Sequence, residues 1–188
     1  MTTRLPDRIE GYAIVSADGM LADADGVMPE VLKIEGDQQF FHGSLDKADA
    51  VVHGCHSHEG GPNAANRLRL IVTRRIPDLA HHPDNPKAVL WNPTGATFAQ
   101  AWDRLGHAGG LLAVIGGTDV FGMFLEIGYS AFHLSRADHV RLPGGRPVFP
   151  QVPFVTPEQV LQNHGYKPGP MRLLDKGKNV GLVTWIPA

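Results

Sequence analysis

The chain has 188 residues, 43% of them hydrophobic and 19% charged, with a formal net charge of −2 when its histidines are neutral. That length buries one sizeable core, so a single domain over residues 1–188 is the simplest organisation, and the near-neutral charge offers no broad basic field for nucleic acid or a membrane surface. A lone cysteine, Cys55, excludes an intramolecular disulfide, the first residues carry no apolar leader, and no apolar run reaches membrane-spanning length; the chain reads as soluble and cytoplasmic.

In chain order, apolar and β-branched runs at residues 12–15, 50–53, 68–73, 88–91, 111–115, 131–134 and 180–186 predict strands. Between them, 37–47 carries Phe40, Phe41 and Leu45 on one stripe, 97–105 carries Phe98, Ala101, Trp102 and Leu105, and 119–126 carries Val120, Phe121, Phe124 and Leu125. These three stretches predict amphipathic helices. Strands alternating with helices imply a three-layer α/β fold, a mostly parallel central sheet with helices on both faces. After about residue 134 that rhythm stops. Arg141-Leu-Pro-Gly-Gly-Arg-Pro and Lys167-Pro-Gly-Pro read as turn-rich connections, which predicts an antiparallel C-terminal edge.

Four segments carry chemical signals. The first strand ends in Asp18-Gly19 and enters the loop 23–29, as compatible with a mobile flap at a strand's carboxyl end as with a plain connection. Asp37 opens a helix one turn before Phe41 and suits either a stabilising charge at a helix start or a pocket carboxylate. In Leu111-Leu-Ala-Val-Ile-Gly-Gly-Thr-Asp-Val-Phe121 a buried strand breaks into a glycine pair and a helix follows at once. Bare amides at a helix start make an anion cradle for a pyrophosphate, although the spacing is not the full dinucleotide fingerprint and a simple strand-to-helix turn fits too. His53-Gly-Cys-His-Ser-His-Glu59 offers imidazole and thiolate ligands, but at a spacing matching no structural zinc pattern.

Asp37 with Phe41, Val51-Val-His-Gly54 leading to Ser57, Asn66-Arg67 before a strand, Val114-Ile-Gly-Gly-Thr-Asp-Val-Phe121, and Phe149-Pro150 occur in the order and approximate spacing of dihydrofolate reductase, which the chain resembles over most of its length. Ser16-Ala-Asp-Gly-Met-Leu-Ala22 and Ala48-Asp-Ala-Val-Val-His-Gly54 are also similar to the reductase domain of riboflavin biosynthesis, which shares that fold and reduces a ribosylamino-pyrimidine. The resemblance implies a dihydrofolate reductase-like fold and an NADPH-dependent reductase of a pterin-type small molecule, first 7,8-dihydrofolate. The ribosylamino-pyrimidine, a metal-binding member or a non-catalytic ligand-binding member is the alternative. A homodimer is compatible with each.

The same resemblance assigns residues. Asp37 would be the catalytic carboxylate, holding the pterin's 2-amino group and neighbouring ring nitrogen, and Ser135 the hydroxyl that bonds it. Tyr12, Ala13 and Phe41 would line the substrate, and Arg67 would clamp the α-carboxylate of a glutamate tail. Cofactor contacts would fall on Leu21, on Gly54, His56 and Ser57 at a helix start, and on Thr73 and Arg74 at the 2′-phosphate. Ile115, Gly116, Gly117, Thr118, Asp119, Val120 and Phe121 would complete the set, with the Gly116–Gly117 bond cis and no metal. The chain departs from the pattern where Cys55 or His56 replaces a basic residue, Phe121 replaces a tyrosine, and Glu30 follows Pro29 in place of tryptophan.

Overall fold

Residues 4–57 and 59–188 are described by a computed structural model. The elements run β1 (Arg8–Ser16), β2 (Met20–Ala22), α1 (Glu35–Leu45), β3 (Ala50–Gly54), β4 (Leu68–Val72), β5 (Leu79–His82), β6 (Asn85–Trp91), α2 (Phe98–Arg104), β7 (Leu111–Val114), α3 (Thr118–Ile127), β8 (Ala131–Ala137), β9 (Arg146–Pro147), α4 (Pro157–Asn163), β10 (Tyr166–Asp175) and β11 (Val180–Pro187). Nine strands form one sheet in the order β10-β11-β8-β1-β7-β3-β4-β6-β5, and β2 pairs with β9 beside it. From β8 to β6 the strands run parallel, whereas β5 at one edge and β11 and β10 at the other are antiparallel.

Period-two alternation divides the strands' side chains between two faces. One face carries Val15, Val52, Leu70, Leu112, Val114, Phe132 and Leu134, which share a core with Trp102 of α2, Phe124 of α3 and Leu161 of α4. The other carries Tyr12, Val51 and Ala113 beneath α1, packed with Leu45 and the flanks of Phe40 and Phe41. Helices therefore cover both faces, the second by α1 and by the 3-10 turn Glu30–Leu32, whose Leu32 packs on Ile14. No helix among those residues is long and apolar enough to cross a membrane.

The seven strands and three helices read from the periodicity all form, with ends displaced by up to four residues. Lys167-Pro-Gly-Pro corrects the reading of a turn, because it lies inside β10. An edge strand tolerates prolines, which lack an N–H to donate, and the register shift between Pro168 and Met171 absorbs the irregularity. Helix α4, which the periodicity did not predict, starts on a reciprocal cap between Thr156 and Gln159. No helix starts at Ser57: the residues from 59 to 63 are irregular, Gly60-Gly61-Pro62 disfavours a helix there, and only a short 3-10 turn follows at Ala64–Asn66.

Candidate active site

Helix α1 follows an extended Ile34 that supplies no side-chain cap, so the carboxylates of Glu35 and Asp37 stand in its positively polarised first turn. Asp37, Phe41 and Leu45 recur at four-residue spacing and turn toward the sheet. Asp37 is 9% exposed. Burial pushes its carboxyl up to about 6, against the opposing pull of the Ser135 hydrogen bond and of His42. Ser135, itself buried, sits on β8 opposite Ile14 of β1, three residues beyond the last pair between β1 and β7. The structure thus unites Asp37 and Ser135.

Tyr12 lies on the same face, its ring 6.0 Å from that of Phe40, 6.4 Å from Phe41 and 4.7 Å from His133. Its hydroxyl donates to Glu10 Oε2 at 2.7 Å, and burial with the Glu10 charge raises the phenol well above its ordinary range. Ala13, one residue on, packs against the core of the opposite face. Alternation separates these two neighbours, so Ala13 does not send its side chain toward Asp37. The sequence reading missed Glu10, His133 and Thr184, a half-buried network in which His133 Nε2 lies 3.0 Å from Glu10 Oε2 and its Nδ1 2.9 Å from Thr184 Oγ1. Their alternation with apolar residues pointed to one face, but nothing local foretold that the face was covered.

At the end of β7 the chain leaves the sheet through Ile115, Gly116 and Gly117, and the Gly116–Gly117 bond is cis. Gly54 N–H donates to Gly116 O at 2.8 Å, and Ser57 N–H donates back to Gly54 O at 3.0 Å. A Cβ added to Gly117 would meet Ser57 Oγ at 3.7 Å, and one added to Gly54 would meet Val120 Cγ2 at the same distance. The ends of β3 and β7 thus present bare backbone to the first turn of α3, a surface that fits an anionic pyrophosphate and that side chains would fill. At Gly116 φ is +108°, and Phe121 lies directly beneath it, fully buried against Phe132 and Phe149. Phe121 shapes the cradle from below without surfacing in it. The Thr118 hydroxyl donates to Pro147 O of β9, the partner strand of β2, and so brings Leu21's strand beside the cradle.

Across the cradle Arg74 and Asp119 face each other at 4.0 Å, both largely exposed. Thr73 is buried, and its hydroxyl accepts from Arg75 N–H, so it braces the turn that presents Arg74. His56 is exposed in the turn before Ser57. Without a helix at Ser57, α3 is the helix whose start addresses this surface. Pairing of β1 with β7 ends at Gly11 and Val114, so the glycine pair lies level with Ile14 and Ser135, on the other side of β1. Two strand spacings, about 10 Å, separate Ser135, beside which Asp37 sits, from the cradle.

Arg67 stands at the far end of α1 and is paired from within the chain at all three of its nitrogens. Its Nη2 donates to Asp46 Oδ1 at 2.6 Å, its Nη1 to Glu59 Oε1, and its Nε to Leu45 O at 3.4 Å. Glu59, its side chain fully buried, also accepts from Arg69 Nη2 at 3.2 Å. Arg69 Nη1 lies 3.0 Å from His53 Nε2. A guanidinium only donates, so that imidazole nitrogen accepts, and Nδ1–H donates to Gly54 O at 2.9 Å. Among the described residues no three histidine, cysteine, aspartate or glutamate side chains are grouped to hold a metal ion, and His58 lies outside those residues.

No family model matches the chain, and no curated protein does. Solved structures do. A riboflavin-biosynthesis-like protein of Shewanella sp. PV-4 superposes with a TM-score of 0.68 at 14% identity, over 96% of this chain and 99% of its own. Dihydrofolate reductase of Enterococcus faecalis, complexed with NADP(H) and RAB-propyl, gives 0.63 at 13% identity over 97% of each chain. A diaminohydroxyphosphoribosylaminopyrimidine deaminase/5-amino-6-(5-phosphoribosylamino)uracil reductase of Thermotoga maritima gives 0.64 at 15% identity, over 97% of this chain, which spans 57% of that one. The fold of this chain is dihydrofolate reductase-like.

Proposed function

We propose that the chain, acting as a single domain, is an NADPH-dependent reductase of a pterin-type ring. The observation that carries this reading is Asp37: a carboxyl buried under α1 beside Ser135, pushed up to about 6 by burial, with Ser135 two strand spacings, about 10 Å, from the bare-backbone anion cradle. A carboxylate accepts two parallel N–H bonds from an amidine edge such as the 2-amino group and adjacent nitrogen of a pterin, which fixes the ring's plane and rotation. Its raised pKa keeps a proton available near neutrality for a ring nitrogen as the neighbouring carbon gains hydride. Phe41 supplies an apolar wall, and Ser135 holds the carboxyl oriented.

When bound, the nicotinamide supplies hydride. Gly54, Ser57, Gly117 and the first amides of α3 would hold its pyrophosphate, and Arg74 would pair with a 2′-phosphate, which favours NADPH over NADH. Dihydrofolate carries the required ring and is the substrate the resemblance puts first. The ribosylamino-pyrimidine is the second reading, favoured by the pairing of Arg67 with carboxylates of its own chain. A screen of NADPH oxidation against dihydrofolate, tail-free dihydropterins and the ribosylamino-pyrimidine tests the proposal. Turnover of a dihydropterin that is lost in Asp37→Asn supports it; no absorbance loss with any of the three rejects it.

A further inference from the structure

We infer that Glu59 is a built-in substitute for a ligand's anion, and that it tunes the site against substrates carrying an acidic tail. The inference rests on the proposed ring site at Asp37. From Asp37 to Asp46 α1 advances nine residues, about 13 Å, so a substituent leaving a ring at Asp37 and following α1 past Phe41 arrives at Arg67. That end is already occupied. Glu59 is fully buried and offers one oxygen to Arg67 and the other to Arg69, the two-guanidinium reception an incoming carboxylate would seek.

The approach is obstructed as well. The segment carrying Glu59 passes α1 at His42, where a Cβ on Gly61 would lie 2.6 Å from His42 Nδ1, so a side chain there would have to push the imidazole aside. His42 Nδ1 is buried there without a hydrogen-bond partner. An acidic tail reaching Arg67 must both lift this strap and leave Glu59 as an unpaired buried charge, whereas a ring with a short neutral substituent disturbs neither. Glu59 is therefore a specificity-determining residue, and its effect falls on the tail rather than on the ring.

The test compares folate with 6-methylpterin, bound to the full chain saturated with NADP+ and read by tryptophan fluorescence. Wild-type protein is expected to bind folate no tighter than 6-methylpterin. In Glu59→Gln folate gains tenfold or more while 6-methylpterin is unchanged, and Glu59→Gln with Arg67→Met loses the gain. A wild-type preference of tenfold or more for folate overturns the inference, and this result does not need the variant to fold. So does an unchanged ratio in Glu59→Gln. If neither ligand binds either protein, the pterin reading fails and inorganic sulfate decides the strap. A melting temperature that rises with sulfate, against sodium chloride of equal ionic strength, more steeply in Glu59→Gln than in wild type and no more steeply in Glu59→Gln with Arg67→Met, supports the displaced anion; equal rises in wild type and Glu59→Gln overturn it.

Discussion

Asp37 and Glu10 are both carboxylates buried on the face of the sheet that α1 covers, and burial pushes both upward, yet they end on opposite sides of the ordinary value. Glu10 is met by a hydrogen bond from His133, by the Tyr12 hydroxyl and by Arg8, and together these overcome desolvation and pull it down to about 2. Asp37 is met by one serine hydroxyl and the distant influence of His42, and desolvation wins, leaving it near 6. The difference teaches where chemistry can reside. A carboxylate whose acceptor capacity is spent on its own chain is structure, whereas one left under-bonded in a dry site is poised for a partner that the chain does not supply.

The largest expected effect breaks that contrast at Asp37. Asp37→Asn keeps size and the contact with Ser135 but removes the charge and the proton, so kcat/KM for the dihydropterin is expected to fall on the order of a hundredfold to ten-thousandfold. NADPH affinity, measured by energy transfer from tryptophan, should hold. Stability should move the other way. The folded pKa lies above the ordinary value of 3.8, so the cost of ionising buried Asp37 is absent below about pH 4, grows as pH rises through about 6, and is complete above it. Urea unfolding at pH 8 should find Asp37→Asn more stable by up to about 3 kcal/mol, converging with wild type at pH 4. A variant that is inactive and less stable at pH 8 would place Asp37 in the same class as Glu10.

Glu10 sets the next effect. Its folded pKa lies below the ordinary 4.5, so it contributes stability above pH 4.5 that is lost as pH falls toward 2. Glu10→Gln leaves His133 and Tyr12 with a weaker acceptor, and about 2–3 kcal/mol of destabilisation is expected at pH 7. The same substitution should flatten the stability curve between pH 4.5 and 2, while kcat per folded molecule stays within about threefold of wild type. A kcat loss as large as that of Asp37→Asn would sink the assignment of this network to structure.

Legibility in the sequence followed the range of the interactions. The strands 12–15, 50–53 and 111–115 were readable because periodicity is local, and so was the glycine pair, whose residue type alone marks a backbone that must stay bare. Asp37 and Ser135 were legible only as members of a pattern, since they are nearly a hundred residues apart in sequence and meet across the fold. The edge strand β10 was hidden by its prolines, which read as turn formers in sequence but are tolerated at a sheet edge. Glu59 was least legible. In sequence it is a polar loop residue beside glycines, and its burial depends on Arg67 and Arg69 arriving from the next strand. Arg67 read as a free clamp for the same reason: a guanidinium's partners are set by the fold.

The smallest effect is the sharpest probe of the contrast, because it changes how well Asp37 is bonded without removing it. With the acid form of Asp37 as proton source, kcat/KM for a dihydropterin should be level at low pH and fall tenfold per unit above about pH 6. Ser135 lowers that pKa by donating to the carboxylate, so Ser135→Ala should move the break upward, by roughly one unit or less for a hydrogen bond worth about 1 kcal/mol. Above pH 7 the variant would then lose less than expected from its poorer orientation, and its relative rate against wild type should climb with pH. A purely structural serine would depress the rate by one factor at every pH. A break that stays at 6 in Ser135→Ala would show that burial alone fixes the pKa of Asp37, and that the one hydrogen bond distinguishing it from a wholly unpaired carboxyl has no part in the chemistry.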